Sequence, residues 1–272
     1  PRAPLYFNQA SPSAYLRGNT RAVPLGLAFM TDLEAQGVRV LNGARAFRFE
    51  LSKIIQARVM ARLGIDHPRS LAFNDVRALS ARAHEVGFPA ILKPEQGGSG
   101  ARMFLLESPD ELRTTLHMQP DLWQPDNLLL LQELVPYDRD HGIVRLEFVG
   151  GELLYAMRVV SHGRFNLCPS VECNPEDGSE GACEVPIVAT KPVEFYPYPE
   201  VAPEVVEQAK QIALAAGLDV AGIECILTAA GPVFYDINAN SNLRLPIGQA
   251  FGFDPFERVV DFLEREIDRL RD

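Results

Sequence analysis

Two short apolar runs near the C-terminus constrain this chain more than any other feature. Residues 222–227 (GIECIL) and 233–240 (VFYDINAN) are rich in β-branched and aromatic side chains, and the turn-forming segment 229–232 (AAGP) divides them. That pattern predicts a strand pair. Strand side chains alternate between faces, so Asp236 and Asn238 share one face, and pairing brings Glu224 close to them. Two carboxylates and an amide oxygen are hard ligands of the kind a magnesium ion prefers, with phosphate oxygens completing its shell. The plainer alternative is a solvated sheet face. Three inward polar positions on an otherwise apolar pair argue for the cation, because unneutralised buried charge is costly.

The remaining periodicity divides the chain into three blocks. Residues 4–8 and 38–42 read as strands, and 24–37 reads as a helix stopped by Gly37. This block, 1–44, is too small for a complete α/β domain. A helix is predicted over 50–63, closed by Gly64, and a second one from the Asn74–Asp75 cap to about residue 86. Strands at 90–93 and 102–106 flank a glycine-rich loop, a helix opens at Ser108 and Pro109, and 127–131 is a buried strand. Together 45–131 forms a small α+β unit. In the third block, 132–272, strands 143–149 and 152–160 are joined by the tight Gly150–Gly151 turn, and helices span 203–216 and 254–269. Segment 166–198 is a long loop with little periodicity, and loops of that length are usually functional.

Charge narrows the function classes. A net charge of -10 and a pI near 5.1 argue against a nucleic-acid binder. The only lysines are Lys53, Lys93, Lys191 and Lys210. No apolar run approaches the length of about eighteen residues that a membrane helix needs. Cys168, Cys173, Cys183 and Cys225 are too few and too irregularly spaced for a disulfide framework or a zinc site, so a reducing cytoplasm is expected.

Lys93 ends its strand beside Gly97, Gly98, Ser99 and Gly100. Glycines let backbone N–H groups approach phosphate oxygens, and the lysine adds a point charge; the alternative is an ordinary hairpin turn. The run 128–136 (LLLLQELVP) stops abruptly at polar residues, where a hinge between two units would expose backbone to an adenine edge. Arg145, Arg158 and Arg164 could face bound phosphate, or could form a surface ion-pair ladder.

In this order the motifs resemble the ATP-grasp superfamily, most closely the branch of glutamate ligases that extend ribosomal-protein tails. The resemblance runs from about residue 41 to the end. It implies an α/β (α+β) fold of two subdomains clasping ATP, preceded by a short α/β remnant. It also implies roles. Lys53 and Lys93, with Gly97, Gly98, Ser99 and Gly100, would hold phosphates, and Gln132, Glu133 and Val135 would form the adenine hinge. Arg164 and Asn166 match a phosphate-contacting turn, and Glu224, Asp236 and Asn238 match a magnesium triplet with Asp and Glu exchanged. Arg145, Arg158 and Arg244 would stabilise the anionic transition states. Ile143 stands where relatives carry a ribose-contacting Asp, leaving that contact to Asp138 or Asp140, and the turn 240–244 departs from the usual Pro- and Gly-containing form.

The expected function is therefore ATP-dependent ligation of a carboxylate to an amine through an acyl phosphate, on small amino-acid-like or peptide substrates. ATP and Mg²⁺ are the expected cofactors, with Mn²⁺ as a substitute ion. No nucleic-acid or membrane partner is expected, and homo-oligomerisation stays open. The rivals are an ATP-binding module without ligase activity and an ATP-grasp phosphotransferase using His141 or His162.

Overall fold

The computed structural model describes residues 3–97, 102–161 and 193–271. Strands β1 (Leu5–Phe7) and β2 (Arg39–Leu41) pair in parallel, connected through helix α1 (Ala22–Ala35), over a small core that includes Met30, Leu33 and Phe47. Asn42 then fastens this block to the rest. Its buried amide donates to the carbonyls of Val220 at 2.8 Å and Ala239 at 2.6 Å, and its Oδ1 accepts the N–H groups of Asp219 and Val220.

The single helix expected over 50–63 is two helices, α2 (Ala44–Leu51) and α3 (Lys53–Leu63). Ser52 breaks them because its extended backbone lets its hydroxyl accept the Ile55 N–H at 3.2 Å as an N-cap. The same hydroxyl donates to the Glu95 carboxylate, which also accepts the Ile54 N–H at 3.0 Å. Ser52→Ala is expected to cost about 1–2 kcal/mol through the lost cap, a fall of about 2–4 °C in Tm per kcal/mol. Ser52→Thr should hold Tm. A melt unchanged in the Ala variant would show that Glu95 alone secures the helix start.

A small antiparallel sheet follows. It contains β3 (Ser70–Phe73), β4 (Ala90–Pro94), β5 (Phe104–Leu106) and β6 (Leu129–Glu133) in the order β3-β6-β4-β5. Its apolar face is covered by α4 (Val76–Arg82) and α5 (Pro109–Met118), which bury Leu79, Leu112 and Leu116 against Leu92, Leu129 and Leu131.

Among the described residues, the second half builds a five-stranded antiparallel sheet. Its strands are β7 (Ile143–Val149), β8 (Glu152–Val160), β9 (Glu194–Pro197), β10 (Val220–Thr228) and β11 (Gly231–Asn238), ordered β11-β10-β7-β8-β9. Gly150 and Gly151 take positive φ values of 61° and 82°, as the tight turn requires. Helices α6 (Pro203–Ala216), α7 (Leu245–Ala250) and α8 (Pro255–Arg269) complete the chain. Helix α7, which periodicity did not predict, begins with Pro246 in its first turn.

Packing corrects two boundaries expected from sequence. Ala46, Phe49 and Met60 of α2 and α3 share a core with α6 and the large sheet, so residues 45–63 do not belong to the small unit. Conversely, β6 is hydrogen-bonded into the small sheet through Gln132 and Glu133, beyond the expected limit at 131. The small unit is the stretch from about β3 to the end of β6, and the large sheet faces it across a cleft.

Candidate active site

The predicted metal residues sit on one face of the large sheet, and register explains why. Arg145 on β7, Glu224 on β10 and Asp236 on β11 form a single cross-strand row, and Glu147, Gly222 and Asn238 form the next row on that face. Neighbours across a row stand close enough to interact directly. Arg145 Nε donates to Glu147 Oε1 at 2.6 Å, and Nη1 donates to Glu224 Oε1 at 2.7 Å. Its guanidinium therefore lies over Gly222, where a Cβ would collide with Nη2. A strand glycine at such a close approach has a positional reason.

Gly222→Ala is expected to displace the guanidinium, which cannot move without breaking both pairs. The cost should be about 1–3 kcal/mol, typical of overpacking. Turnover should fall with it, and unchanged melting and activity together would show that Arg145 is free to move.

A β-bulge falls beside the row. Register shifts between Glu224 and Cys225, so Glu224 faces Asp236 while Cys225 faces Phe234. Tyr235 is the extra residue, and its hydroxyl donates to Glu224 Oε2 at 2.7 Å. Bulges next to active sites re-aim side chains in this way, and alternation alone gives no hint of it. Burial pushes the Glu224 carboxyl up, against the pull of Arg145, and the nearby Asp236 pushes it further. Burial and the Glu224 charge also drive the Tyr235 phenol well above its usual range.

Asp236 differs from Glu224. Lys53, the first residue of α3, forms an ion pair with it, and Asn238 Nδ2 donates to Asp236 Oδ2 at 3.1 Å. Burial alone would raise this carboxyl, but the Lys53 charge and hydrogen bond outweigh burial, and Lys93 adds to them, holding it below the ordinary carboxylate range. Lys93, at the end of β4, is itself buried; desolvation lowers its pKa to about 8, with Lys53 reinforcing and Asp236, Glu224 and Glu95 opposing.

These side chains line one cavity of about 280 Å³ between the two sheets. Glu224, Asp236, Asn238, Lys53, Lys93, Arg145, Gly97, Gln132, Glu133 and Val135 all reach it. Its walls add Ile91, Met103, Leu134, Tyr137 and Ile143, a mainly apolar surface suited to a flat ring. Among the described residues no three His, Cys, Asp or Glu side chains gather as a ready-made metal cage. The set instead has two carboxylates and an amide oxygen, with the Lys53 ammonium lying on Asp236 as a cation would. These hard donors fit Mg²⁺ shared with phosphate oxygens.

Other expected site residues lie elsewhere. Arg158 faces the sheet edge, within 3.1 Å of His141 Nδ1 and over the Tyr196 ring. Arg244 lies over the Phe195 ring, and its backbone N–H donates to Tyr155 Oη at 2.8 Å. Asp138 and Asp140 occupy an exposed turn in which Asp138 Oδ1 accepts the Asp140 N–H, so neither lines the cavity. The Glu133 carboxylate accepts the Arg69 N–H at 2.7 Å and pairs with its guanidinium, fastening β6 to the start of β3. Gly98, Ser99, Gly100, Arg164, Asn166 and His162 fall outside the described residues, as do Lys191 and Cys168, Cys173 and Cys183. Sequence reasoning missed Glu50, Ser11, Ser13, Tyr235 and Asn242, which also line the cavity.

Comparison with known proteins gives the family and the fold. Residues 51–194, more than half the chain, match the RimK-like ATP-grasp domain. A probable alpha-L-glutamate ligase of Haemophilus influenzae is 22% identical over 253 residues, covering 91% of this chain and 74% of that protein. A RimK domain ATP-grasp protein from Sphaerobacter thermophilus superposes with a TM-score of 0.64 at 17% identity, covering 96% of this chain and 81% of that one. D-alanine–D-alanine ligase from Bacillus anthracis superposes with a TM-score of 0.64 at 16% identity, covering 89% and 75%. With its two sheets closing on a lysine- and carboxylate-lined cavity, the chain belongs to the RimK-like ATP-grasp family and shares its class of reaction, the ATP-dependent ligation of a carboxylate to an amine.

Proposed function

We propose that the cavity binds Mg·ATP and joins the carboxylate of one amino-acid or peptide substrate to the amine of another, with release of ADP and phosphate. The observation that carries this reading is the row Arg145–Glu224–Asp236 placed in one cavity with Lys53 and Lys93. A substrate carboxylate oxygen attacks the γ-phosphorus, the bond to ADP breaks, and an acyl phosphate forms. The amine nitrogen then attacks the acyl carbon, and the C–O bond to phosphate breaks. The phosphoryl-transfer step needs positioning and charge neutralisation more than acid–base groups.

The residues divide that work. Lys93, at the mouth of the glycine-containing loop, and Lys53, once released from Asp236, would meet the phosphates. Gln132, Leu134 and Val135 would border the purine. Glu224, Asp236 and Asn238 would hold Mg²⁺, or Mn²⁺ in its place, which when bound neutralises phosphate charge. Arg145 holds Glu224 in position and keeps Nη2 without a hydrogen-bond partner among the described residues. The relatives named probable alpha-L-glutamate ligase support a substrate related to glutamate. No described helix is long and apolar enough to cross a membrane, and the cytoplasm, where ATP is supplied, is the location this reading favours.

The test is ADP and phosphate release with Mg·ATP and a panel of the common amino acids, offered singly and in pairs, with the coupled product identified by mass. ADP release that requires both a carboxylate and an amine is expected. ADP release that needs no amine, or phosphoryl transfer to substrate without free phosphate, would overturn the reading.

A further inference from the structure

One buried carboxylate in the cavity has no part in the nucleotide chemistry above. Glu50, in the last turn of α2, is 2% exposed and lines the same cavity as Lys53 and Asp236. Its Oε1 accepts the Asn240 N–H at 3.2 Å, the Asn240 side-chain amide lies 3.5 Å from Oε2, and the Ala239 N–H also turns toward it. Asn240 donates in turn to the Ala10 carbonyl, and Ser11, Pro12 and Ser13 line the cavity beside it. A polar wall results, opposite in character to the apolar wall of Ile91, Leu134, Val135 and Ile143.

What this wall lacks is a cation. Among the described residues no Lys, Arg or His lies within ion-pair distance of Glu50, because Lys53, three residues along, is committed to Asp236. Burial pushes the Glu50 carboxyl up to about 7, with Lys53 opposing that rise and Asp236 adding to it. A buried carboxylate held only by N–H donors is costly unless a positive partner completes it. A cavity-lining position leaves room for that partner to come from a ligand.

The ligase reading, on which this inference rests, calls for such a ligand. An aliphatic amine is an ammonium ion at neutral pH and cannot attack an acyl carbon until it loses a proton. We propose that Glu50 binds the ammonium group of the amine substrate and accepts the proton that frees its nitrogen. The N–H bond breaks toward the carboxylate oxygen, and the released lone pair forms the C–N bond to the acyl carbon. The C–O bond to phosphate then breaks, and phosphate leaves with that electron pair and takes the second nitrogen proton. A carboxyl with its pKa near the working pH suits a base of this kind. The Ser11–Ser13 segment and Asn240 would form the rest of the acceptor subsite.

The test uses Glu50→Gln, which keeps an oxygen for the Asn240 N–H but removes the charge. Its probes are hydroxylamine, neutral at pH 7.5, and the amino acid that couples fastest in the panel above. Hydroxamate formation from the activated carboxylate should stay near wild type. The KM for the amino acid in amide formation should rise by about tenfold or more, the size of a lost charge-assisted contact. Glu50→Asp should recover part of the loss. In the wild-type protein, the decarboxylated amine analogue of that amino acid should compete with it, and the N-acetylated form should not.

Hydroxamate and amide formation falling together would assign Glu50 to the carboxylate substrate or to the fold. Neither falling, or competition by the acetylated form, would remove it from amine binding. A raised Mg²⁺ requirement would make it a metal ligand. Each of these overturns the proposal, whereas a panel without any coupling overturns the ligase reading instead.

Discussion

Asp236→Asn is expected to lower turnover by about a hundredfold or more, the scale of losing one preorganised electrostatic contact. It is also expected to melt at a lower temperature than the wild type. Sequence alone suggests the opposite stability effect, since two neighbouring carboxylates repel and removing one charge relieves the other. The structure reverses the sign. Asp236 pairs with Lys53 and lies near Lys93, and its carboxyl stays below its ordinary range despite burial. Attraction to the lysines therefore outweighs repulsion from Glu224.

Removing the charge leaves the Lys53 and Lys93 ammonium groups to repel each other without Asp236 to offset them. The cost should be about 2–3 kcal/mol, less than the 3–5 typical of a fully buried pair because the Asp236 side chain is 26% exposed. For a carboxyl held low, the stabilisation is present above the unfolded value of 3.8 and is lost as pH falls through the folded one. The gap between variant and wild type should thus be wide at pH 7 and shrink below about pH 4. Full turnover in the variant at ordinary Mg²⁺ would remove Asp236 from the metal set. A raised Tm would show that repulsion from Glu224 dominates after all.

How far the sequence could be read followed the range of the interactions involved. The β10–β11 pair, the Gly150–Gly151 turn and the Gly64 and Gly217 helix stops are set by residues within a few positions of one another, so period and turn chemistry reveal them. That Glu224, Asp236 and Asn238 lie together was readable for the same reason, since one hairpin carries all three. The surroundings of Arg158 and Arg244 were not legible, because a charge on a strand or loop does not disclose which neighbour it meets, and aromatic rings of β9 lie under both. Glu50 was invisible, since only the fold brings the end of α2 beside Asn240, nearly two hundred residues away. The break at Ser52 was misread because an apolar helical period continues across it. There a single serine cap, backed by Glu95 from the small sheet, overrode the period.

Lys93→Met should move stability and affinity in opposite directions. At pH 7 the variant is expected to bind a non-hydrolysable Mg·ATP analogue more weakly by about 1.5–3 kcal/mol, the worth of a charge-assisted hydrogen bond. Yet the ligand-free protein should melt higher. Lys93 is 8% exposed at the end of β4, and its pKa falls from 10.5 to about 8 because burial disfavours the charge and Lys53 repels it. Below pH 8 the folded chain carries that whole cost, about 3 kcal/mol at 1.36 kcal/mol per pKa unit. Between about 8 and 10.5 the unfolded chain binds more protons than the folded one, so wild-type stability from this group rises with pH across that window. Methionine, of similar length and uncharged, removes the cost at pH 7 and should lose its advantage toward pH 10.5.

Phosphate reverses the balance at Lys93, since bound nucleotide favours the ammonium form. Wild-type affinity should therefore decline as pH rises above 8, while the Met variant stays flat over the same range. Lys210, exposed and paired with Glu152, is the control, and Lys210→Ala should change affinity by under about 1 kcal/mol. Calorimetry at pH 7, 8 and 9, with melts of the ligand-free proteins, reads all of this at once. Equal affinities for the Lys93 and Lys210 variants would take Lys93 out of the phosphate site. A lower melting temperature for Lys93→Met would mean that Asp236, Glu224 and Glu95 already stabilise the charge more than burial opposes it.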